Sequence, residues 1–269
     1  MTKSNPMFEL NDRVVLLTGA AGHLGSAMAR GLARAGAQVV LNGRNRSALE
    51  ELASQIQQSG GQAIVLAFDV ADATAVQDGL TELRHRLGRL DVLIHNAYNG
   101  RGGSLALSRD DDFEQSYAVA VVAAARLVQK AQDMLAAAGE RNPGGASVIN
   151  IASMYGIVSP DFRVYQTPEE FNPPFYGAAK AALIQLSRYL ACQLAPQHIR
   201  VNAISPGPFP AESVQEVTPE FCVKLACRVP LGRIGQPDDL VGPVVFLASD
   251  ASAYVTGHNL VVDGGWTAW

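Results

Sequence analysis

Residues 13–44, RVVLLTGAAGHLGSAMARGLARAGAQVVLNGR, predict a strand, a glycine-rich turn, a helix and a second strand. Residues 13–18 form a short apolar run bounded by polar residues, which is typical of a buried strand. The helix after the turn has apolar residues at helical spacing and ends at Gly36, and residues 37–44 supply the second strand. A glycine-rich turn in this order favours dinucleotide binding, and a purely structural turn is the alternative.

Five residues of this turn are candidates for cofactor contacts. Gly19 permits the tight turn, whereas Gly22 and Gly25 let the backbone approach a pyrophosphate and let the helix pack on the strand. The N-terminus of the helix offers unpaired N–H groups and the positive end of its dipole to phosphates. The candidates are Gly19, Gly22, His23, Leu24 and Gly25.

The end of the second strand indicates which dinucleotide binds. NAD sites place an acidic side chain here to bind the ribose 2′-hydroxyl, but residues 41–44 read LNGR and contain no acid. Arg44 can pair with a 2′-phosphate and stack on adenine. The sequence therefore favours NADP(H), with NAD(H) possible. The alternative is that Arg44 is only a solvated arginine that leads into the next helix.

The rest of the chain continues the alternation of strands and helices. Apolar runs predict five further strands, at residues 63–70, 90–98, 146–153, 199–204 and 258–265. Helical patterns cover residues 46–59, 72–88, 110–138, 176–194, 219–229 and 237–248. The alternation indicates an α/β fold, a single domain over residues 1–269 with a doubly wound, seven-stranded parallel sheet flanked by helices. Asp69, Val70 and Asn96 end predicted strands and are further candidates for cofactor contacts.

Composition excludes several classes of protein. The 269 residues are 48% hydrophobic and 17% charged, with a net charge of −4 and no block of basic residues, which argues against a nucleic-acid partner. No signal peptide and no apolar run long enough for a membrane span is recognised. The histidines form no ligand cluster, so no metal is expected, and the three cysteines (Cys192, Cys222 and Cys227) read as reduced thiols of a cytoplasmic protein.

A serine, a tyrosine and a lysine form the candidate catalytic set. Tyr176 and Lys180 are four residues apart at the start of a predicted helix, so both lie on one face, and Ser153 follows the preceding strand. A neighbouring cation favours the phenolate and lowers its pKa, so Tyr176 could exchange a proton with an alcohol or carbonyl held by Ser153. With seven tyrosines in the chain, the Tyr–Lys spacing could also arise by chance.

These motifs together resemble the classical short-chain dehydrogenase/reductase family. The match runs from about residue 10 to the C-terminus through TGAAGHLG (18–25), HNAY (95–98), Ser153…Tyr176–Lys180, SPGPF (205–209) and YVTGHNLVVDGGW (254–266). The resemblance implies a Rossmann fold, NAD(P)-dependent alcohol/carbonyl chemistry on a small-molecule substrate, and a homotetramer or homodimer.

The resemblance also implies a role for each matching residue. Tyr176 would be the acid–base group and Ser153 would orient the substrate oxygen. Lys180 would hold the cofactor ribose and lower the pKa of Tyr176. In the segment that looks like the nicotinamide loop, the implied cofactor contacts are Pro206, Gly207 and Phe209.

The chain departs from the family pattern at five positions. His23 replaces the middle glycine of the first turn, and His95 and Tyr98 replace an Asn and a Gly of the fourth-strand motif. Ala120 stands where the family usually has an Asn that bends the long helix and positions a water for a proton relay. Its side chain can do neither, so the relay is expected to be rerouted or absent. Ala211 replaces a Thr that usually binds the nicotinamide carboxamide.

The segment between Ser153 and Tyr176 is longer than the family commonly has. Its extra residues, about 157–175, are rich in Pro and aromatics and connect two catalytic candidates, so they are expected to cover the substrate pocket, unless they form a decorative loop or a subunit contact. The hypothesis is that Phe162, Arg163, Tyr165 and Phe171 shape the pocket, with Arg163 suited to a carboxylate.

The sequence is compatible with three functions. The leading interpretation is an oxidoreductase that interconverts a secondary alcohol and a ketone, on a sugar, a sugar acid or another small polar carbonyl. Ala120 and Ala211 instead motivate a cofactor-binding protein with little catalytic activity and a regulatory or structural role. A sugar-nucleotide epimerase or dehydratase is the third interpretation, but such enzymes usually carry a larger C-terminal substrate portion.

Overall fold

The computed structural model describes residues 6–269 and contains the predicted parallel sheet. Residues 1–5, which belong to the predicted domain and to the segment in which no signal peptide was recognised, lie outside the described residues. The seven strands are β1 (Val14–Leu17), β2 (Gln38–Gly43), β3 (Gln62–Ala67), β4 (Val92–His95), β5 (Ala146–Ile151), β6 (Ile199–Pro206) and β7 (Asn259–Val262). They are ordered β3-β2-β1-β4-β5-β6-β7, and every neighbouring pair is parallel.

Helices connect the strands on both faces of the sheet. They are α1 (His23–Arg34), α2 (Arg46–Gln58), α3 (Ala73–Leu87), α4 (Asp110–Tyr117), α5 (Ala123–Arg141), α6 (Pro174–Leu194), α7 (Glu212–Val217), α8 (Pro219–Ala226) and α9 (Val241–Ala248). The prediction of a doubly wound, seven-stranded parallel sheet flanked by helices is therefore confirmed.

The residues of β1 show why the strands read as continuous apolar runs. Val15 and Leu17 belong to one hydrophobic cluster, and Val14 and Leu16 belong to another. Successive side chains of a strand point to opposite faces, so a sheet covered by helices on both faces needs an apolar residue at every position. All four residues of β1 are buried.

Strand order places a crevice at the carboxyl ends of β1 and β4. The chain passes outward through β2 and β3 and then returns to the other side of β1 with β4. The loops that follow β1 and β4 therefore diverge in opposite directions, which opens a crevice where ligands of this kind of sheet bind. Within residues 6–269, no helix is both long and apolar enough to cross a membrane.

The long helix predicted over residues 110–138 is interrupted. A π-helical turn, Ala118–Val122, separates α4 from α5, and α5 then continues to Arg141. The segment predicted as a helix over 237–248 begins with a 3-10 turn, Pro237–Leu240, before α9. Periodicity did not reveal the π turn because one extra residue in a turn hardly disturbs the apolar pattern.

Candidate active site

Two adjoining cavities open at the carboxyl ends of the strands. The larger has a volume of about 650 Å³ and is lined by the glycine turn and by the ends of β2, β3 and β4. The smaller has a volume of about 370 Å³ and is lined by Ser153, Tyr176 and residues of the segment 157–175. Tyr98 lines both cavities and so forms part of the boundary between them.

The glycine turn is held in one shape by its own backbone and by Asn96. Gly19 has a φ of +62°, in the left-handed region that favours glycine. A Cβ on Gly25 would lie far inside 3.0 Å of the Gly19 carbonyl oxygen and 2.9 Å from the Ala20 oxygen. The Asn96 side-chain amide donates to the carbonyl oxygens of Thr18 and Gly19 at 3.2 and 3.1 Å. Asn96 thus ties the ends of β1 and β4 together.

Two residues of opposite charge, Arg44 and Asp69, line the larger cavity. Arg44 is exposed and lines the cavity just after β2. Asp69 and Val70 line it beyond β3, and the Asp69 carboxylate accepts a hydrogen bond from the Ala71 N–H at 2.9 Å. The Asp69 carboxylate is therefore partly engaged with its own turn. Arg44 is the charged residue that directly follows β2.

His23 faces the cavity where the family pattern has a glycine. Its side chain lines the cavity with those of Leu24 and the neighbouring turn, and Nε2 is buried without a hydrogen-bond partner among residues 6–269. Burial lowers the pKa of His23, and the negative charge of Glu212 opposes that effect. His23 therefore presents a neutral imidazole beside the N-terminus of α1. A buried ring nitrogen without a partner is suited to a ligand that supplies one.

The segment that resembles a nicotinamide loop lies nearer the smaller cavity. Gly207 and Phe209 line that cavity, whereas Pro206 ends β6 and lines neither of the two. Gly207 lies against Asp263, so that a Cβ there would be 2.5 Å from the Asp263 Cα atom. Ala211 is the N-cap residue of α7, which starts immediately after this segment.

The structure brings Ser153, Tyr176 and Lys180 together. Ser153 and Tyr176 line the same cavity, and the Ser153 hydroxyl accepts from the Tyr155 N–H at 3.1 Å. Pro174 begins α6, so Tyr176 lies in the first turn and Lys180 one turn further on the same face. The Lys180 ammonium is buried, donates to the Ile151 carbonyl at 2.7 Å and lies 5.7 Å from the centre of the Tyr176 ring.

Burial dominates the electrostatics of this set. Burial lowers the pKa of Lys180 to about 7. Burial also raises the pKa of Tyr176, and the hydrogen bond from Ser153 only partly opposes this rise. Lys180 was expected to lower the pKa of Tyr176, but the desolvation of the phenolate is the larger effect and the pKa is raised. The hydroxyl of Tyr176 is therefore protonated at neutral pH.

The π turn persists although Ala120 lies inside it. Its peptide groups use the wider register, since the Ala123 N–H donates to the Ala118 carbonyl. The buried His95 side chain places Nε2 3.0 Å from the Val119 carbonyl oxygen within this turn. The helix is thus irregular without an Asn at 120, and a side chain from β4 hydrogen-bonds to the irregular segment. Ala120 did not straighten the helix.

The segment 157–175 lies over the smaller cavity, but not all four residues that were expected to shape the pocket line it. Tyr165 and Phe171 line the smaller cavity, and Phe162 lines an adjoining outer one with Phe171. The Arg163 side chain is 80% exposed, pairs with Asp161 at 2.9 Å and lines neither cavity. The sequence could not place Arg163, because a short 3-10 turn, Phe162–Val164, decides which way it points.

Arg101 lines the smaller cavity, although nothing in the sequence indicated it. Its guanidinium is 44% exposed, binds Asp112 through Nε and Nη2, and gives Nη1 no acceptor among residues 6–269. The loop after β4 reaches the segment 157–175, where the Gly103 N–H donates to the Phe171 carbonyl at 2.9 Å. No local pattern announces this contact, since the partners are far apart in the chain. Other lining residues that were missed are Tyr155, Asn172, Phe221 and Leu225.

The chain is similar in sequence to known proteins over nearly their whole length. The chain is 34% identical over 264 residues to the gluconate 5-dehydrogenase of Gluconobacter oxydans, which covers 97% of each chain. It is 33% identical over 267 residues to the rhamnolipids biosynthesis 3-oxoacyl-(acyl-carrier-protein) reductase of Pseudomonas aeruginosa, covering 97% of this chain and 99% of the relative.

A solved structure agrees with these matches. The structure of a gluconate 5-dehydrogenase from Burkholderia cenocepacia in complex with NADP and tartrate has a TM-score of 0.86 and 32% identity, covering 98% of each chain. A family model described as enoyl-(acyl carrier protein) reductase matches residues 19–267. The family matches and the assembled site lead to one conclusion: the chain belongs to the classical short-chain dehydrogenase/reductase family of oxidoreductases.

Proposed function

We propose that this enzyme is an NADP(H)-preferring oxidoreductase that interconverts a secondary alcohol and a ketone on a sugar or sugar acid. The observation that carries the proposal is that Ser153 and Tyr176 line the smaller cavity together, with the buried Lys180 ammonium 5.7 Å from the centre of the Tyr176 ring. The larger cavity would hold the dinucleotide and the smaller one the substrate. The relatives named above include two gluconate 5-dehydrogenases, which supports the substrate class.

Each catalytic side chain has a separate task in this proposal. The bound nicotinamide supplies the site for hydride exchange. Ser153 donates a hydrogen bond to the substrate oxygen and holds it near the phenol. Tyr176 gives its hydroxyl proton to the forming alkoxide during reduction and takes it back during oxidation. The Lys180 ammonium stabilises the phenolate that remains, because opposite charges at short range favour the charged form.

The residues around the larger cavity fit a dinucleotide. The close approach of Gly25 to Gly19 leaves backbone, not side chain, at the pyrophosphate position, and His23 Nε2 lacks a partner there. The proposed cofactor contacts are Gly19, Gly22, His23, Leu24, Gly25, Arg44, Asp69, Val70, Asn96, Tyr176, Lys180, Pro206, Gly207 and Phe209.

A substrate screen tests the function directly. Sugar acids, ketoses and β-ketoacyl thioesters would be offered with NADPH and with NADH, and turnover followed by nicotinamide absorbance. We expect turnover of a sugar or sugar acid, faster with NADPH. Turnover of acyl thioesters alone would overturn the substrate class. Tight NADPH binding without turnover of any substrate would favour the cofactor-binding protein that Ala120 and Ala211 motivate.

Replacing Arg44 by Glu is expected to shift the preference from NADPH towards NADH. Arg44 would form charge-assisted hydrogen bonds to the 2′-phosphate, and losing such bonds costs about 10-fold to 100-fold in kcat/KM. The new carboxylate repels the phosphate and can accept from the 2′-hydroxyl of NADH. Arg46→Glu is the control, because Arg46 lies two residues away and does not line the cavity. An unchanged NADPH/NADH ratio in the Arg44 variant would contradict the proposal.

Arg101 is the candidate for recognising a substrate carboxylate. Among the residues that line the smaller cavity it alone is a Lys or Arg. Its Nη1 is not used by Asp112 or by the Leu107 carbonyl, which Nη2 contacts at 2.6 Å. A guanidinium held by an internal carboxylate is already oriented, so a second carboxylate can bind it at little entropic cost. This position suits a sugar acid better than the exposed Arg163.

Replacing Arg101 by Gln is expected to raise KM for an anionic sugar acid by about 10-fold to 100-fold, the value of one charge-assisted contact. KM for a neutral polyol or ketose should change by less than about threefold, because that substrate brings no charge to the guanidinium. Arg163→Gln should leave both KM values unchanged. Equal losses for neutral and anionic substrates in Arg101→Gln would show that Arg101 only supports the loop through Asp112.

Assembly and compartment belong to the same proposal. We propose a homodimer or homotetramer in the cytoplasm, as is usual for the family. Tyr189 on α6 is 63% exposed and Val122 beside α5 is 39% exposed, so these two helices present apolar side chains that a second copy could cover. Cys192, Cys222 and Cys227 are free thiols, which is typical of a reducing compartment.

A further inference from the structure

Tyr98 occupies an unusual place beside the candidate catalytic set. The tyrosine follows β4 at a position where the family pattern has a glycine. Its ring packs edge-on against the Tyr176 ring, with centroids 4.9 Å apart and an interplanar angle of 72°. The Lys180 ammonium lies over the Tyr98 ring, 5.1 Å from its centre. One ring therefore contacts both groups of the Tyr–Lys pair.

The hydroxyl of Tyr98 fixes that ring. It lies 3.0 Å from the Ser116 hydroxyl, which itself donates to the Phe175 carbonyl at 3.1 Å. Because the Ser116 proton is used on Phe175, Tyr98 must be the donor to Ser116. Burial raises the pKa of Tyr98 to about 12, so this donor keeps its proton at neutral pH. The chain of hydrogen bonds ends at the residue before Tyr176, in the first turn of α6.

Lys180 needs such a neighbour because it has no carboxylate partner among residues 6–269. Lys180 is 3% exposed, and its ammonium donates its hydrogen bond to a neutral carbonyl, that of Ile151. The titratable groups around it are Tyr176 on α6, Tyr98 after β4 and His95 at the end of β4. Burial and the Lys180 charge lower the pKa of His95 to about 4, so His95 is neutral and provides no negative charge. Two aromatic faces and one carbonyl are what stabilise this cation.

We propose that Tyr98 is a positioning residue that keeps the Lys180 ammonium charged and fixed beside Tyr176 through a cation–π contact. The catalytic role of Tyr98 rests on the proposed function, but the titration of Lys180 that tests the contact does not require it. The negative face of an aromatic ring attracts a desolvated cation, so the ring favours the protonated lysine. Without the ring, the buried ammonium loses its proton more easily, and the Tyr176 phenolate then lacks its neighbouring positive charge.

The titration of Lys180 tests the inference without any substrate. The chain has lysines only at positions 3, 130, 180 and 224, so the ε-carbon resonance of Lys180, labelled with ¹³C, can be assigned with a Lys180→Arg variant. Tyr98→Phe keeps the ring and loses only the bond to Ser116, and its Lys180 pKa should stay within about 0.3 units of the wild type. Tyr98→Leu and Tyr98→Met both remove the ring, and the pKa of Lys180 should fall by about one unit.

The sign of the shift separates this inference from a purely structural role. If Tyr98 only fills space, the smaller side chains admit water and the pKa of Lys180 rises or does not move, which would overturn the inference. A fall of equal size in Tyr98→Phe would overturn it too, because the ring would then be irrelevant. Two variants without the ring are used, so that if one of them does not fold, the other still tests the inference.

Activity provides a second readout. The rate of alcohol oxidation at neutral pH should fall about fivefold in the ringless variants and little in Tyr98→Phe, because a pKa that falls by one unit from about 7 leaves about a tenth of Lys180 charged instead of about half. If the wild type turns over no substrate, the proposed function fails, but the Lys180 titration still decides the role of Tyr98.

Discussion

Tyr176→Phe is expected to lower kcat by about 10²–10⁴ in both directions while NADPH affinity stays within a few-fold of the wild type. Phenylalanine keeps the ring and its packing against Tyr98, so the first turn of α6 should keep its shape. What disappears is the hydroxyl that would carry the proton, beside Ser153 in the same cavity. Steady-state kinetics and a fluorescence titration with NADPH measure the two quantities separately.

The control for this prediction is Tyr155→Phe. Tyr155 lines the same cavity, but its hydroxyl lies 3.3 Å from that of Tyr165 in the segment 157–175 and does not contact Lys180. Its loss should change KM more than kcat, because it would alter the wall of the pocket and leave the proton donor intact. Turnover in Tyr176→Phe within tenfold of the wild type would remove Tyr176 from the acid–base role.

Gly25→Ala is expected to weaken NADPH binding by about 10-fold to 100-fold or more, and to lower thermal stability as well. The new Cβ would overlap the Gly19 carbonyl oxygen and crowd the Ala20 oxygen, so the turn between β1 and α1 must open. Overpacking of this kind costs about 1–3 kcal/mol, and the opened turn no longer presents its N–H groups to phosphate.

Gly22→Ala is the matched control for the same turn. Its Cβ would lie 3.2 Å from the Gly19 carbonyl oxygen, a tight contact that a shift of a few tenths of an ångström relieves. We expect a loss of NADPH affinity about tenfold smaller than in Gly25→Ala, a difference of about 1.4 kcal/mol. Isothermal titration of both variants with NADPH, together with their melting temperatures, makes the comparison. Wild-type affinity in Gly25→Ala would contradict the placement of the pyrophosphate at this turn.

Several features of the site depend on contacts between distant segments. Tyr98 and His95 were visible in the sequence only as departures from a family pattern. In the structure they contact Lys180, Tyr176 and the π turn, Ala118–Val122. Arg101 lines the smaller cavity because the loop after β4 pairs with the segment 157–175 through Gly103 and Phe171.

The sequence by itself determined the architecture and the candidate catalytic set. Apolar runs, helical spacing and a glycine after β1 are local signals, because they follow from the periods of strands and helices and from the backbone freedom of one residue. The four-residue spacing of Tyr176 and Lys180 is equally local, since one helix turn fixes it. These signals were sufficient for the seven parallel strands and for the crevice beside β1 and β4.

Only the tertiary structure decided which arginine lines the smaller cavity, how the π turn forms with Ala120 inside it, and in which direction the pKa of Tyr176 moves. Arg163 and Arg101 are alike in the sequence. In the structure Arg163 is exposed and pairs with Asp161, whereas Arg101 lines the smaller cavity. The pKa of Tyr176 depends on how completely the surrounding chain excludes water. Loop paths and desolvation arise from the packing of many distant residues, and no short stretch of sequence contains them.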